Sequence, residues 1–178
     1  MTAGIVDTVR CPACGTLFST LPLSQGESEW HQWWKNRVPQ ARQEHRLGNR
    51  EADIIAHDGT VVEVQHGSLS EDEITARERH YGSMRWIFDA RRPYAEGRLQ
   101  LFPQSPTPFR WRFPRTTIRA CRRTIYLDLG TVREIGLHML LTAPGLALAR
   151  GEGVGGLITA TAMHNWLAHG TPLTGWSP

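Results

Sequence analysis

The chain has only three cysteines in 178 residues, and an odd count argues against a secreted disulfide framework. Nor does any uninterrupted apolar run reach the ~18 residues that a membrane span needs. The most apolar stretch, 135–149, is broken by His138, Pro144 and Gly145. No leader-like apolar segment opens the sequence, and no internal repeat is visible. Together these absences predict a cytoplasmic protein with no membrane partner. Hydrophobic residues are 40% and aromatics 8% of the chain, too many for a globally disordered polypeptide. The length suits one domain, or one with a small appendage, and is enough for a substantial core.

The net charge of +3 is modest, but it is unevenly placed. Residues 77–123 hold twelve arginines against three acids, whereas the preceding 76 residues hold six basic and eleven acidic side chains. Arginines interleaved with Trp86, Phe109, Trp111 and Phe113 are what a phosphate-backbone surface needs. Charge on an exposed strand edge would look similar.

Ser24 followed by Glu27 has the pattern of a capping box and predicts a helix over about 25–37. Trp30, Trp33, Trp34 and Arg37 lie on one stripe of it, and Glu27, His31 and Lys35 on a neighbouring polar stripe. Strands are expected near 44–48, 52–56 and 61–65. Ser70 with Glu73 opens a second helix to about Tyr81, and 85–89 reads as a buried strand. The order helix, three strands, helix, strand implies a mixed sheet with helices on its faces. Further strands are expected near 98–102, 109–113 and 124–129, with helices over 132–141 and 157–168. The chain thus divides into an N-terminal segment (1–24), a core with strand extensions (25–130) and a C-terminal helical segment (131–178).

The densest chemical signal is Asp53 and, ten positions on, Glu63-Val64-Gln65, across the turn signal Asp58-Gly59. Magnesium prefers carboxylate oxygens, typically one or two from protein, with the remaining positions left to water and phosphate. Because side chains alternate along a strand, register decides whether the two acids meet. A two-residue turn at Asp58-Gly59 would pair Ile54 with Glu63 and place the acids on opposite faces. A three-residue loop, His57-Asp58-Gly59, with Gly59 left-handed, pairs Asp53 with Glu63. Val61, Glu63 and Gln65 then share a face with Asp53 and Ile55. An ordinary hairpin with two solvated acids is the alternative.

The run Glu27-Ser28-Glu29-Trp30-His31-Gln32-Trp33-Trp34-Lys35 resembles the opening helix of the CoiA-like competence nucleases. Arg50-Glu51-Ala52-Asp53 is similar to their Arg-x-Ala-Asp strand, and Glu63-Val64-Gln65 to their Glu-x-Gln, with Ser68 and Ser70 following. Arg77 or Arg79, then Tyr81 and Trp86, resemble the helix and strand that close the motif. Tyr126-Leu127-Asp128-Leu129-Gly130 resembles a later strand. The resemblance covers about residues 25–90 well and the remainder loosely. It implies an α/β fold with a restriction-endonuclease-like (αβββαβ) core of the PD-(D/E)xK superfamily. It also implies Mg²⁺- or Mn²⁺-dependent hydrolysis of DNA phosphodiesters with weak sequence preference.

Carried over by residue, the resemblance makes Asp53 and Glu63 the metal ligands. Glu27 either completes the site or serves the Ser24 cap. His31 either orients a ligand or the attacking water, or packs on Trp34. Gln65 stands where the superfamily usually has Lys, so it can hydrogen-bond a nucleophilic water but supplies no charge; Lys35 is a candidate to restore that charge. Arg77 and Tyr81, one turn apart, are candidates for substrate phosphate, although Tyr81 could equally pack on Trp86. Arg110, Arg112 and Arg115 are expected to hold the nucleic-acid backbone.

Cys11-Pro-Ala-Cys14-Gly resembles half of a zinc ribbon, the short N-terminal knuckle of this architecture, and makes a structural Zn²⁺ a further expected metal. No second Cys-x-x-Cys follows. Cys121 and a histidine could complete the site only through the fold; a decayed ribbon, or a zinc shared between copies in a homo-oligomer, is the alternative. Two further patterns carry no chemistry. Gly151-Glu-Gly-Val-Gly-Gly156 has dinucleotide-like glycine spacing but lacks a surrounding βαβ unit and an acid ~20 residues on, so a loop is expected. His164 and His169, five apart, do not stack on one helix face. A DNA-binding module without cleavage and an interaction protein without nucleic-acid contact are the competing functions.

Overall fold

The computed structural model describes residues 7–10, 17–20, 28–102, 104–143 and 145–175. Strands β1 (Asp7–Arg10) and β2 (Leu17–Thr20) form a separate antiparallel ribbon. The central sheet has nine strands: β3 (Gln43–Leu47), β4 (Arg50–Ile55), β5 (Val61–Gln65), β6 (Met84–Asp89), β7 (Leu99–Leu101), β8 (Thr107–Trp111), β9 (Thr124–Val132), β10 (Leu137–Ala143) and β11 (Glu152–Thr159). Their spatial order is β3-β4-β5-β6-β9-β10-β11-β8-β7. Among the described residues the pairs β5–β6 and β6–β9 are parallel and the other pairs antiparallel. The protein is therefore a mixed α/β fold built on a large, mostly antiparallel sheet flanked by helices.

Near-continuous apolar runs in β5, β6 and β9 reflect burial of both faces. Val62, Val64, Ile87, Tyr126 and Leu140 face helices α1 (Glu29–Lys35) and α5 (Ala160–His169), which contribute Trp30, Trp34, Met163 and Leu167. Val61, Trp86, Phe88, Ile125, Leu127 and Leu141 face the other way. There they pack with Ile74 of α2 (Glu71–Tyr81), Leu148 of α4 (Gly145–Arg150) and Ile118 of a 3₁₀ turn. The short helix α3 (Arg91–Ala95) follows β6 directly. Among the described residues no helix is long and apolar enough to cross a membrane.

The expected order of helix, three strands, helix and strand is present as α1, β3, β4, β5, α2, β6. The second cap is as expected, with Glu73 N donating to Ser70 Oγ at 3.1 Å. The first helix starts later: Ser28 caps it, its Oγ accepting from His31 N at 3.2 Å. Ser24 and Glu27 lie outside the described residues.

Three C-terminal expectations are corrected. The expected helix over 132–141 is a hairpin, with β9 and β10 joined through a turn at 133–136 in which Gly136 has φ +65°. Its apolar residues fit a helical spacing, but Met139 and Leu140 point to opposite faces of a sheet covered on both sides. The glycine run at 151–156, expected as a loop, lies in and beside β11, and the last helix begins at Ala160 instead of Leu157. Small residues are needed there because neighbours approach closely. A Cβ on Gly153 would lie 2.8 Å from Ala147 Cβ, and one on Gly155 would lie 2.4 Å from Thr142 O.

Gly155→Ala is expected to lower unfolding free energy by about 1–3 kcal/mol through overpacking. Gly156→Ala, with nothing within 4 Å of the added carbon, leaves it nearly unchanged. Urea denaturation of the two variants reads the difference.

Candidate active site

The hairpin between β4 and β5 decides the site. Ile54 pairs with Val62 and Ile55 with Val61. Ala56 N donates to Thr60 O at 2.9 Å, and Gly59 has φ +82°. The loop is therefore His57-Asp58-Gly59, three residues long, and Asp58 Oδ1 fixes it by accepting from Thr60 N at 2.9 Å. Continued one step, this register would set Asp53 opposite Glu63, but the pairing ends at Ile54 and Val62. At that step the ladder is altered: Asp53 Oδ2, a side-chain oxygen, accepts from Val64 N at 2.8 Å.

Helix α1 brings His31 to Asp53, with Nε2 3.3 Å from Asp53 Oδ1. Glu63 is 1% exposed and its Oε2 accepts from Arg77 of α2. Its other oxygen, Oε1, is buried without a hydrogen bond among the described residues. Arg77 also donates to Glu73 Oε1 at 2.9 Å, and Arg50 reaches the same oxygen at 2.7 Å. An alternating chain of charges thus ties α2 to the hairpin. Burial is the main reason that the Glu63 carboxyl is lifted to about 7; the charge of Asp53 adds to it, and Arg77 opposes it. Tyr81 lies beside Glu63 and is held protonated by burial and by that charge, while its hydroxyl donates to Glu51 O at 2.8 Å.

A buried carboxylate oxygen without a partner, next to a second carboxylate, fits a hard divalent cation. Asp53 and Glu63 are the residues that would hold it. Among the described residues no group of three or more His, Cys, Asp or Glu forms a metal cluster.

The other expected residues fall in different settings. Gln65 is partly exposed, and its amide donates to Gly67 O at 3.0 Å. Lys35, the only lysine of the chain, is 2% exposed and pairs with Glu44. Arg110 and Arg112 are exposed at the β8 end of the sheet. Arg115 instead donates to the carbonyls of His66 at 2.8 Å and Asp89 at 3.0 Å. Glu27, Cys11 and Cys14 lie outside the described residues. Cys121 is buried in the core, where burial pushes its thiol up to about 12.

Sequence reasoning missed how α1 is held. Asp128 on β9 is fully buried, and its Oδ2 accepts from Trp30 Nε1 at 2.7 Å and Trp34 Nε1 at 2.9 Å. Its Oδ1 takes Gly130 N at 2.8 Å and pairs with His138 Nε2 at 2.6 Å. Burial alone would raise this carboxyl. The His138 contact, then the Trp30 and Gly130 hydrogen bonds, overcome that and hold it below the ordinary value. A signal existed: an acid inside the apolar run Ile125-Tyr-Leu-Asp-Leu129 must find buried donors. Comparison with protein-family models, characterised proteins and solved structures finds no match for this chain.

Two outcomes are expected. Asp128→Asn keeps the shape but removes the charge and turns an NH₂ toward one of the two pairs of groups on the carboxylate, costing about 2–4 kcal/mol, measured by urea unfolding with tryptophan emission. The wild-type contribution is complete above the unfolded carboxyl value of 3.8 and is lost as the pH falls below it, through the depressed folded value. Glu63 has the opposite sign. Between 4.5 and about 7 the unfolded chain has released a proton that the folded chain keeps, so stability in EDTA falls with rising pH. Glu63→Gln should flatten that slope in thermal unfolding.

Proposed function

We propose that the chain is a metal-dependent nuclease that hydrolyses DNA phosphodiester bonds with weak sequence preference. In this reading α1 to β6 form a restriction-endonuclease-like core, similar in motif to the CoiA-like competence nucleases. The observation that carries it is the three-residue loop, whose register runs from Ile55–Val61 and Ile54–Val62 toward Asp53 and Glu63, with His31 beside Asp53. The order of α1, β3, β4, β5, α2 and β6, with two antiparallel pairings and then a parallel one, supports the same core.

Asp53 and Glu63 would hold Mg²⁺ or Mn²⁺. Such an ion lowers the pKa of bound water and neutralises charge on phosphate oxygens. His31 holds Asp53 from one side, fixing the carboxylate's direction. Arg77 holds one oxygen of Glu63 and leaves the other open. Gln65, on the Glu63 face one step further along β5, supplies an amide that can leave Gly67 O for a water or phosphate oxygen. Exposed Arg110 and Arg112 suit backbone phosphates, which implies strong salt sensitivity.

One observation favours the second reading, a DNA-binding module that keeps the fold without cleaving. Arg77 already neutralises part of the charge on Glu63, and so competes with a cation.

End-labelled single- and double-stranded DNA incubated with Mg²⁺, Mn²⁺ or EDTA decides between them. The nuclease cleaves only with metal, and Asp53→Ala and Glu63→Ala each lower the rate by at least about a hundredfold. Salt-sensitive binding without cleavage, indifferent to Mg²⁺ and to Asp53→Ala, would establish the module instead. Metal binding has its own readout. Mg²⁺ should raise the Tm of the wild-type chain and leave that of Asp53→Ala unmoved.

A further inference from the structure

A cavity of about 290 Å³ opens where the parallel strands β5 and β6 end, and His66, Asp89, Arg92, Arg98, Phe113 and Arg115 line it. In open α/β sheets the crevice beyond the carboxyl ends of parallel strands is the usual place for ligands. Its charge is cationic. Asp89 is already satisfied, since Arg91 donates to it through Nε at 2.9 Å and Nη2 at 2.8 Å, and His66 Nδ1 lies 2.9 Å away. The remaining guanidiniums are Arg92, Arg98 and Arg115. The first two share one exposed counter-ion, Glu96, at 2.6 and 2.8 Å. An exposed pair of this kind contributes little stability and can yield to a stronger anion.

Phe113 is the unusual member. Its ring is 83% exposed and its backbone has φ +58°, a left-handed conformation that is costly for a bulky side chain. The loop around it is held firmly. Arg112 N donates to Arg98 O at 2.8 Å, and Arg115 is anchored on His66 O at 2.8 Å and Asp89 O at 3.0 Å. Strain that the surroundings over-determine, spent on presenting an aromatic face to solvent beside three guanidiniums, points to a recognition element. A positively charged groove with an aromatic platform is the combination that binds single-stranded nucleic acid, since every base has a π-face to stack.

We propose that this cavity binds a single-stranded nucleic-acid segment, with Arg92 and Arg98 on a phosphate, the anchored Arg115 adding its charge from the cavity wall, and the Phe113 ring stacked on a base. This rests on the nucleic-acid part of the function proposed above and adds the strand form and its subsite. From Glu63 to His66, three residues of extended chain span about 10 Å. That equals the rise of about three nucleotides along one strand of B-DNA. A strand seated in the cavity therefore comes within about three nucleotides of the β5 segment that carries Glu63.

The test is the affinity of a short fluorescein-labelled thymidine oligonucleotide for the full chain, by anisotropy in EDTA, so that cleavage plays no part. Phe113→Ala and Arg98→Gln are each expected to weaken binding about tenfold, and Arg98→Gln also to reduce the salt dependence. Glu96→Gln, which frees two guanidiniums, should tighten binding several-fold, a gain that damage to the fold would not produce. Arg46→Gln removes the same charge at the opposite sheet edge and should change affinity less than about twofold. No oligonucleotide binding by the wild-type chain, or equal affinity for wild type, Phe113→Ala and Arg98→Gln, overturns the cavity. Cleavage assays on the same proteins separate the two proposals. Metal-dependent cleavage with affinity indifferent to Phe113 refutes the cavity alone, and Phe113-dependent binding without cleavage refutes the nuclease alone.

Discussion

One buried carboxylate organises this protein. Asp128 sits at the centre of the sheet, and α1 is fastened to it by two indole N–H groups one turn apart. A seven-residue helix is too short to persist on its own propensity. Its position over β4 and β5, and with it the placement of His31 on Asp53, depends on that anchor. The irregularity in β9 serves the same group: the register between β9 and β10 shifts beside Asp128, and Gly130, with φ +70°, returns its N–H to Oδ1. Trp33 stacks on His138 and Arg37 lies over Trp33, so the apolar stripe of the helix and the polar anchor are one assembly.

Burial has different consequences for Asp128 and Glu63. Asp128 receives enough donors to stay ionised in a dry setting, whereas Glu63 has a cation on one oxygen and, among the described residues, no hydrogen bond on the other. The first is a fastening and the second a centre with unmet charge. Proteins rarely keep an incompletely paired buried carboxylate without a use for it. Here the neighbour that worsens its situation, Asp53, is placed by the length of a turn.

That turn was legible in the sequence because its chemistry is local. Asp58-Gly59 and the ten-residue spacing reduce the choice to two loops, and only one of them brings the acids together. The helix–strand order through β6 was legible for the same reason, from caps and apolar spacing. The C-terminal half was not. Leu137 to Leu141 suits either a helix or a strand covered on both faces, and the glycines of β11 record close approach by residues far away in the chain. The Asp128 anchor required knowing which strand lies under α1, and the Arg115 clamp required knowing that β8 is sewn to the sheet by β11. Arg77 and Tyr81 look like substrate contacts on a helical stripe, yet in three dimensions both are spent on the hairpin itself.

The position of β11 has a consequence for the making of the molecule. Strands β7 and β8 are paired with one another, and among the described residues they join the other seven strands through the pairing of β8 with residues 152–155. During synthesis, which proceeds at about 5–20 residues per second, residues 99–111 emerge seconds before their docking partner exists. They must wait as an isolated ribbon, which is marginal in water at best. The loop carrying Phe113 and Arg115 therefore takes its shape late, after the Asp53–Glu63 hairpin has had time to close.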